Sequence, residues 1–200
     1  GKIQAAGEIK IGVKYDVPPF GFKNPQTNDI EGFDVDFGQA IADKLGVEPN
    51  FIEAISDNRI PFLQDGTVDL ILSTMTINAE RAQEIGFSEP YYIAQGRILV
   101  PQDSDIAGID DLAGKKVCTA LGSTYEETLK EQAPDADLRL VDSYSECLEP
   151  LRNGQVDAGD PLVQLEPLLV EREPDPGDAV DLDFGPASGE GDALVALRAY

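Results

Sequence analysis

The 200-residue chain has no histidine and only two cysteines. These absences remove His-based catalytic triads, imidazole metal sites and four-ligand zinc sites. Positive charge is scarce too: 15 Lys and Arg stand against 38 Asp and Glu, a formal charge of −23. Such a surface repels phosphate backbones and anionic lipid, so nucleic acid is not expected as a partner. No run of about 18 apolar residues reads as a membrane-spanning helix. No loop carries the alternating Asp/Asn ligands and closing Glu of a calcium site, so the acids read as a solvated, solubilising surface and no metal is expected. What is present suits a globular protein of one domain or two small ones: 42% apolar residues, with 8 Phe and 6 Tyr.

The first 150 residues alternate strand and helix signals. Ile9–Val13 is predicted as a strand, followed by a Pro- and Gly-rich loop over 15–28. Phe33, Phe37, Ile41 and Leu45 recur at helical spacing and predict one face of a helix that Gly46 ends. A short strand follows at 51–55, a short helix at 59–64 and a buried-type strand at 68–72. Asn78 is predicted to cap a short helix over 79–82, and Tyr91–Val100 to run extended. The pattern then restarts. It gives a helical turn at 109–112, strands at 116–120, 138–141 and from 156, and helices opening at Gly122-Ser123-Thr124 and spanning 143–152. Farther on, 162–170 reads as a helix, 174–178 as a turn, and 179–184 and 193–197 as strands. A βαβα alternation favours parallel sheets covered by helices, here in two similar lobes. The boundaries expected are 1–94 for lobe 1, with 193–200 as a returning strand, and 95–192 for lobe 2.

Ligands of open α/β sheets bind beyond the carboxyl ends of the strands. The segments there are 15–20, 56–59, 73–81, 121–125 and the stretch around Asp160. An acidic chain that captures an anion needs local cations, and Arg59 and Arg81 are the two in these segments. A guanidinium together with the free N–H groups of a helix start at Gly122-Ser123-Thr124 would receive a carboxylate. Each feature has a plainer reading, as a solvated charge or an ordinary helix cap. The acid pairs Asp34/Asp36, Asp110/Asp111 and Glu126/Glu127 read as solvated acids near helix starts rather than as an acid–base couple.

The order of several segments resembles a known family. They are Val13–Phe22 (VKYDVPPFGF), Gly32-Phe33-Asp34-Val35-Asp36, Gln64–Leu70, Thr76–Arg81 and Phe87–Tyr92 in the first half. Asp111–Val117, Leu121–Thr124 and Asn153–Ala158 follow in the second. Together they resemble the polar amino-acid-binding proteins of ABC importers (solute-binding protein family 3), with Ser56–Pro61 similar to glutamate/aspartate binders. The resemblance implies a two-lobe, hinged periplasmic-binding-protein fold that closes on one free amino acid, an acidic one preferred. It also implies a monomer outside the cytoplasm, periplasmic or lipid-anchored, that serves an ABC permease with no cofactor and no chemistry. The chain opens without a signal peptide, as a mature export product does, and the family's closing helices have no counterpart after 197, which implies a truncated C-terminal part.

Roles follow from the same likeness. Arg81 is implied as the guanidinium for the ligand α-carboxylate, helped by backbone N–H groups at Thr76 and Thr124. The Thr74 carbonyl and Thr76 hydroxyl are implied for the ammonium. Tyr15, Asp16 and Phe20, with Ser56, lie in the segments that meet the ligand side chain, and Arg59 is implied to reach toward a side-chain carboxylate. Gly122 and Ser123 complete the second-lobe set. The family's ammonium-clamping Asp falls where this chain has Leu162, so Asp160, the nearest acid, stands as its replacement. Cys118 and Cys147 read either as two buried thiols or, on the exported reading, as a disulfide worth ~3.5 kcal/mol by loop closure. Two rivals remain. One is a dehydratase on this fold, using Asp16 or Asp57. The other is the sensor domain of a membrane receptor. Glutamine or a basic amino acid is the alternative ligand.

Overall fold

In the computed structural model, the described residues are 1–94, 97–160 and, as backbone, 179–183 and 192–197. The chain divides into two compact units, Gly1–Ile93 with Asp192–Tyr200, and Ala94–Gly191. The readings of 162–170 and 174–178 lie outside the described residues.

Unit 1 opens with a short helix α1 (Lys2–Ala6) and strand β1 (Glu8–Val13). The Pro- and Gly-rich loop then folds into a small antiparallel sheet of β2 (Asp16–Val17), β3 (Gly21–Lys23) and β4 (Ile30–Glu31). Helix α2 (Phe33–Leu45) follows, then β5 (Glu48–Glu53), α3 (Arg59–Asp65), β6 (Leu70–Thr76) and β7 (Ile93–Ala94). The main sheet has the order β5-β1-β6-β13-β7, where β13 is Asp192–Leu197. β5 and β6 flank β1 in parallel, and β13 runs antiparallel to β6.

Both faces of this sheet are covered, as the near-continuous apolar β1 and β6 require. Ile9, Ile11, Val13, Leu70 and Leu72 face Val35 and Ala42 of α2. Ile71 and Met75 face Ala54, Leu63 and Val68 on the other side. The helix face that enters the core is not the expected one. Phe33, Phe37 and Leu45 stay 45%, 36% and 37% exposed, and Asp34, Val35, Gly38 and Ala42 are buried. The reason is steric. A Cβ on Gly38 would stand 2.9 Å from the Phe51 ring and 3.2 Å from Ile11 Cδ1, so α2 approaches the sheet through its smallest residue and its large side chains are displaced to the rim.

Unit 2 carries β8 (Arg97–Pro101), β9 (Lys116–Ala120), α4 (Thr124–Gln132), β10 (Asp137–Val141), α5 (Leu148–Arg152), β11 (Ala158–Gly159) and β12 (Ala179–Asp183). Its sheet order is β10-β9-β11-β8-β12. β10 and β11 flank β9 in parallel, and β8 pairs antiparallel with β11 and β12. One face packs Val117, Ile98 and Val100 on Leu112 and Leu129, and the other packs Leu99, Leu151 and Val156 around a disulfide joining Cys118 to Cys147.

Several boundaries differ from the sequence reading. The extended run at 91–100 is two strands, β7 and β8, in two sheets. The helix at 79–82 is a single 3-10 turn over Arg81–Gln83, and 143–152 is a 3-10 turn over Tyr144–Cys147 leading into α5. The polar segment Ser73–Thr76, expected as a loop, is the end of β6. Polar side chains there suggested solvent, but the strand continues because Thr76 still pairs with Leu194 of β13.

Candidate functional site

In unit 1 the carboxyl ends of β1, β5 and β6 bring together Lys14, Ser56 and Ser73–Thr76. Among the described residues of this acidic unit, three cations are buried: Lys14 (1% exposed), Arg59 (2%) and Arg81 (4%). Lys14 donates from Nζ to Ser56 Oγ at 2.8 Å. Burial, and then the positive charge of Arg59, push the Lys14 pKa well below its usual value, and Asp16 and Glu53 oppose that shift.

Arg59 is held firmly. Its Nε donates to the Ser56 carbonyl at 3.0 Å, and Nη1 donates to the carbonyls of Ser73 and Thr74 at 3.0 and 3.1 Å. The expectation that its guanidinium is simply extended to a ligand therefore needs amending. At least these two nitrogens brace three backbone carbonyls. Arg81 is similar: Nη1 donates to the Thr76 carbonyl at 3.1 Å, and its own N–H is capped by Asn78 Oδ1 at 2.8 Å.

Thr74 has φ +45°, in the left-handed region that a β-branched residue rarely enters. The register between β6 and β13 shifts across this stretch, so Thr74 sits in a bulge, a device that re-aims side chains. Among the described residues, its Oγ1 and Asn58 Oδ1 are the buried side-chain polar atoms without a hydrogen-bond partner. The Thr74 carbonyl, expected for the ligand ammonium, accepts from Arg59 instead.

The other expected residues of unit 1 sit in the small sheet and its loop. Tyr15 is half-buried, donates from its hydroxyl to the Phe51 carbonyl at 3.2 Å and has Lys23 Nζ 5.3 Å from its ring centre. Asp16 begins β2. Phe20 is buried in an aromatic cluster, edge-on to Tyr92 at 4.8 Å and to Phe33 at 6.1 Å. Its loop is fastened to the start of α2, where the N–H groups of Phe33 and Asp34 donate to the carbonyls of Pro19 and Phe20. Gly32 permits this approach. Its φ is +130°, and a Cβ there would lie 2.3 Å from the Phe20 oxygen.

In unit 2, Ser123 caps α4 by accepting from Glu126 N–H at 3.2 Å. Thr124 is the first helical residue. Two of the expected anion-binding N–H groups, those of Gly122 and Ser123, are occupied from within. Gly122 N–H donates to Glu126 Oε2 at 2.7 Å, Ser123 N–H donates to the Ala120 carbonyl, and Lys130 holds the other Glu126 oxygen at 2.5 Å. An incoming carboxylate at this turn would compete with Glu126.

Asp160 directly follows β11 and is buried. β11 pairs Gly159 with Cys118, so the short Ala158-Gly159-Asp160 run sets Asp160 beside Thr119. Its Oδ2 accepts from Thr119 Oγ1 at 2.6 Å and from Ala120 N–H at 3.1 Å. Burial raises its pKa to about 7 despite those two hydrogen bonds.

Three residues escaped sequence reading, among them Glu126, read as a solvated acid but buried against the Gly122 N–H. Lys14 was passed over between the predicted strand and its loop, although a Lys directly after a buried strand is itself a signal. Asp34, read as a solvated helix-start acid, is wholly buried, and only Asp36 is exposed.

Two helix-covered mixed sheets, each with a parallel core and buried polar side chains gathered at strand ends, define the two-lobe fold of the periplasmic-binding type. The chain belongs to the bacterial extracellular solute-binding proteins, family 3, which match residues 9–164. It is similar to a glutamine-binding protein of Geobacillus stearothermophilus, 41% identical over 161 residues, covering 78% of this chain and 62% of that one. It is also similar to the glutamate-binding protein GluB of Corynebacterium glutamicum, 38% identical over 161 residues, covering 76% and 54%. Among solved structures, an ancestral arginine-binding protein bound to arginine superposes with a TM-score of 0.85 at 36% identity, covering 96% of this chain and 84% of that one. The chain spans about three fifths of the length of the first of these curated relatives.

Proposed function

We propose that this protein is the extracytoplasmic substrate-binding component of an amino-acid ABC importer, and that it takes an acidic amino acid, glutamate or aspartate. One observation carries the acidic preference: Lys14 and Arg59 are both buried and meet at one residue, Lys14 Nζ donating to Ser56 Oγ at 2.8 Å and Arg59 Nε to the Ser56 carbonyl at 3.0 Å. Two neighbouring buried cations raise each other's energy, and a carboxylate beside them lowers it. Arg81 is the proposed partner of the α-carboxylate, with Thr76 beside it, Thr74 is proposed to meet the ligand through its hydroxyl, and Asp160 is the proposed partner of the ammonium. The ligand side chain meets Lys14 and Ser56, with Tyr15, Asp16 and Phe20 shaping the surroundings.

Glutamine is a second reading, favoured by the 41% identity to a glutamine-binding protein. Calorimetric titration with the twenty amino acids separates the two. Glutamate should bind best, and Lys14→Met should weaken glutamate by about tenfold or more while changing glutamine little, the range for a hydrogen bond to a charged group. Lys14 is a cleaner probe than Arg59, whose removal also frees three carbonyls. Glutamine or arginine binding tightest in the wild type would overturn the acidic preference.

A further inference from the structure

Asp34 is an expensive residue to keep. It is the second residue of α2, has no exposed surface, and burial raises its pKa. Its two oxygens are directed to two places. Oδ1 accepts from the Tyr91 hydroxyl at 2.5 Å, and Oδ2 accepts from the Thr74 N–H at 3.2 Å. The Thr74 carbonyl is taken at 3.1 Å by Arg59. One residue, Thr74, is thus held on its N–H side by a carboxylate from α2 and on its carbonyl side by a guanidinium from α3. That residue has the left-handed φ, lies in the bulge of β6 and keeps a buried hydroxyl without a partner. A β-branched residue does not stay in this conformation unless its surroundings impose it.

We infer that Asp34 is a positioning residue for amino-acid binding: fixed by Tyr91, it holds the Thr74 peptide in its left-handed conformation and so aims the Thr74 hydroxyl at the ligand. The inference rests on the reading that Thr74 meets the ligand. It assigns to Asp34 no contact with the ligand itself. The nearby Asp36, two residues on and solvent-exposed, has no such part.

The test is a cycle of Asp34→Asn, Thr74→Gly and the double variant, titrated with L-glutamate and with L-glutamine, with melting curves and the Thr74 amide resonance as companion readouts. Asp34→Asn should weaken both amino acids by about tenfold with their ratio unchanged, because the lost hydrogen bonds involve a charged acceptor and not the side-chain subsite. In the Thr74→Gly background the same change should cost less than about twofold, because glycine reaches positive φ unaided. Tyr91→Phe, a milder change, should follow the same pattern and serves if Asp34→Asn does not fold. A residue with only a scaffolding role would lower the melting temperature and weaken binding equally in both backgrounds, and that result overturns the inference. So does unchanged affinity in Asp34→Asn. If the wild type binds neither amino acid, the ligand reading fails on its own, and the amide decides the positioning. A Thr74 resonance that moves and loses exchange protection in Asp34→Asn supports it, and one that stays in place overturns it.

Discussion

Breaking the Cys118–Cys147 disulfide should destabilise unit 2 by a predictable amount. The bond closes a loop of sequence separation 29 that runs from β9 through α4 and β10 to the 3-10 turn before α5. Both sulfurs are buried on the sheet face that also holds Leu99, Leu151 and Val156. For a loop of this length, chain-entropy bookkeeping gives ~3.5 kcal/mol of stabilisation, through restriction of the unfolded chain. Single-cysteine replacement would add a cavity cost of its own, so reduction is the better perturbation. Urea unfolding at neutral pH, with and without reductant, should show a loss of about 3 kcal/mol in the reduced protein, with Cm lowered and m raised as the unfolded state expands. Mass spectrometry after alkylation of native protein should find no free thiol before reduction and two after it. Identical urea midpoints in the two states would refute the entropic reasoning even with the bond present. Two alkylated thiols in unreduced protein would refute the bond itself.

Arg81→Ala should lower amino-acid affinity by about 2–5 kcal/mol in a calorimetric titration, the range for removing one partner of a desolvated charged pair. Asp160 should make stability fall as pH rises. Its folded-state pKa of about 7 lies above the unfolded value of about 4, so across that window the native state holds a proton that the unfolded chain has released. Urea midpoints should therefore decline from pH 4.5 to 7.5, and Asp160→Asn should flatten its share of that slope. Glu126→Ala should uncover the Gly122 N–H and lower the melting temperature by removing a carboxylate cap, a loss of about 1 kcal/mol that Glu126→Gln partly restores.

The alternation of strands and helices was legible because it depends on local patterning. The runs at 9–13 and 116–120 are apolar, sit between turn residues, and became β1 and β9. The orientation of α2 was not legible. Four large apolar residues at helical spacing outweighed Gly38 in any reading by hydrophobicity, yet close approach to the sheet decided the face, and that is a tertiary constraint. Arg81 and Arg59 could be picked out as cations at strand-end segments. Their hydrogen bonds to carbonyls could not, because these depend on where β6 ends and on how its bulge turns the backbone. The same limit hid Asp34. Helix-start acids are usually solvated, and only the docking of Tyr91 and Thr74 over its carboxyl group removes it from water. At Asp160, the pairing of β11 with β9 sets the carboxylate against Thr119 and the Ala120 N–H, a consequence of register that sequence alone does not carry.

Unfavourable features are not spread evenly over unit 1. Lys14 and Arg59 are buried beside each other, Thr74 is held at positive φ, its hydroxyl is unsatisfied, and Asp34 is a carboxylate without exposed surface. All converge on the carboxyl end of β6 and the segments next to it. Elsewhere the unit is conventional, with apolar side chains on both faces of a mixed sheet and acids in solvent. A protein whose sequence is otherwise consistent with its fold concentrates such costs where binding requires them. On the proposed reading, the arrangement also lets so acidic a chain take an acidic ligand. The long-range field of a −23 protein repels a dicarboxylate and slows its approach, but that field is screened beyond about 8–10 Å at physiological salt. Buried Lys14, Arg59 and Arg81 act at contact distance, where screening is weak. Raising the salt concentration should therefore speed association with glutamate and leave its dissociation rate nearly unchanged. Stopped-flow rates across a salt series would show this, and an association rate that falls with salt would refute it.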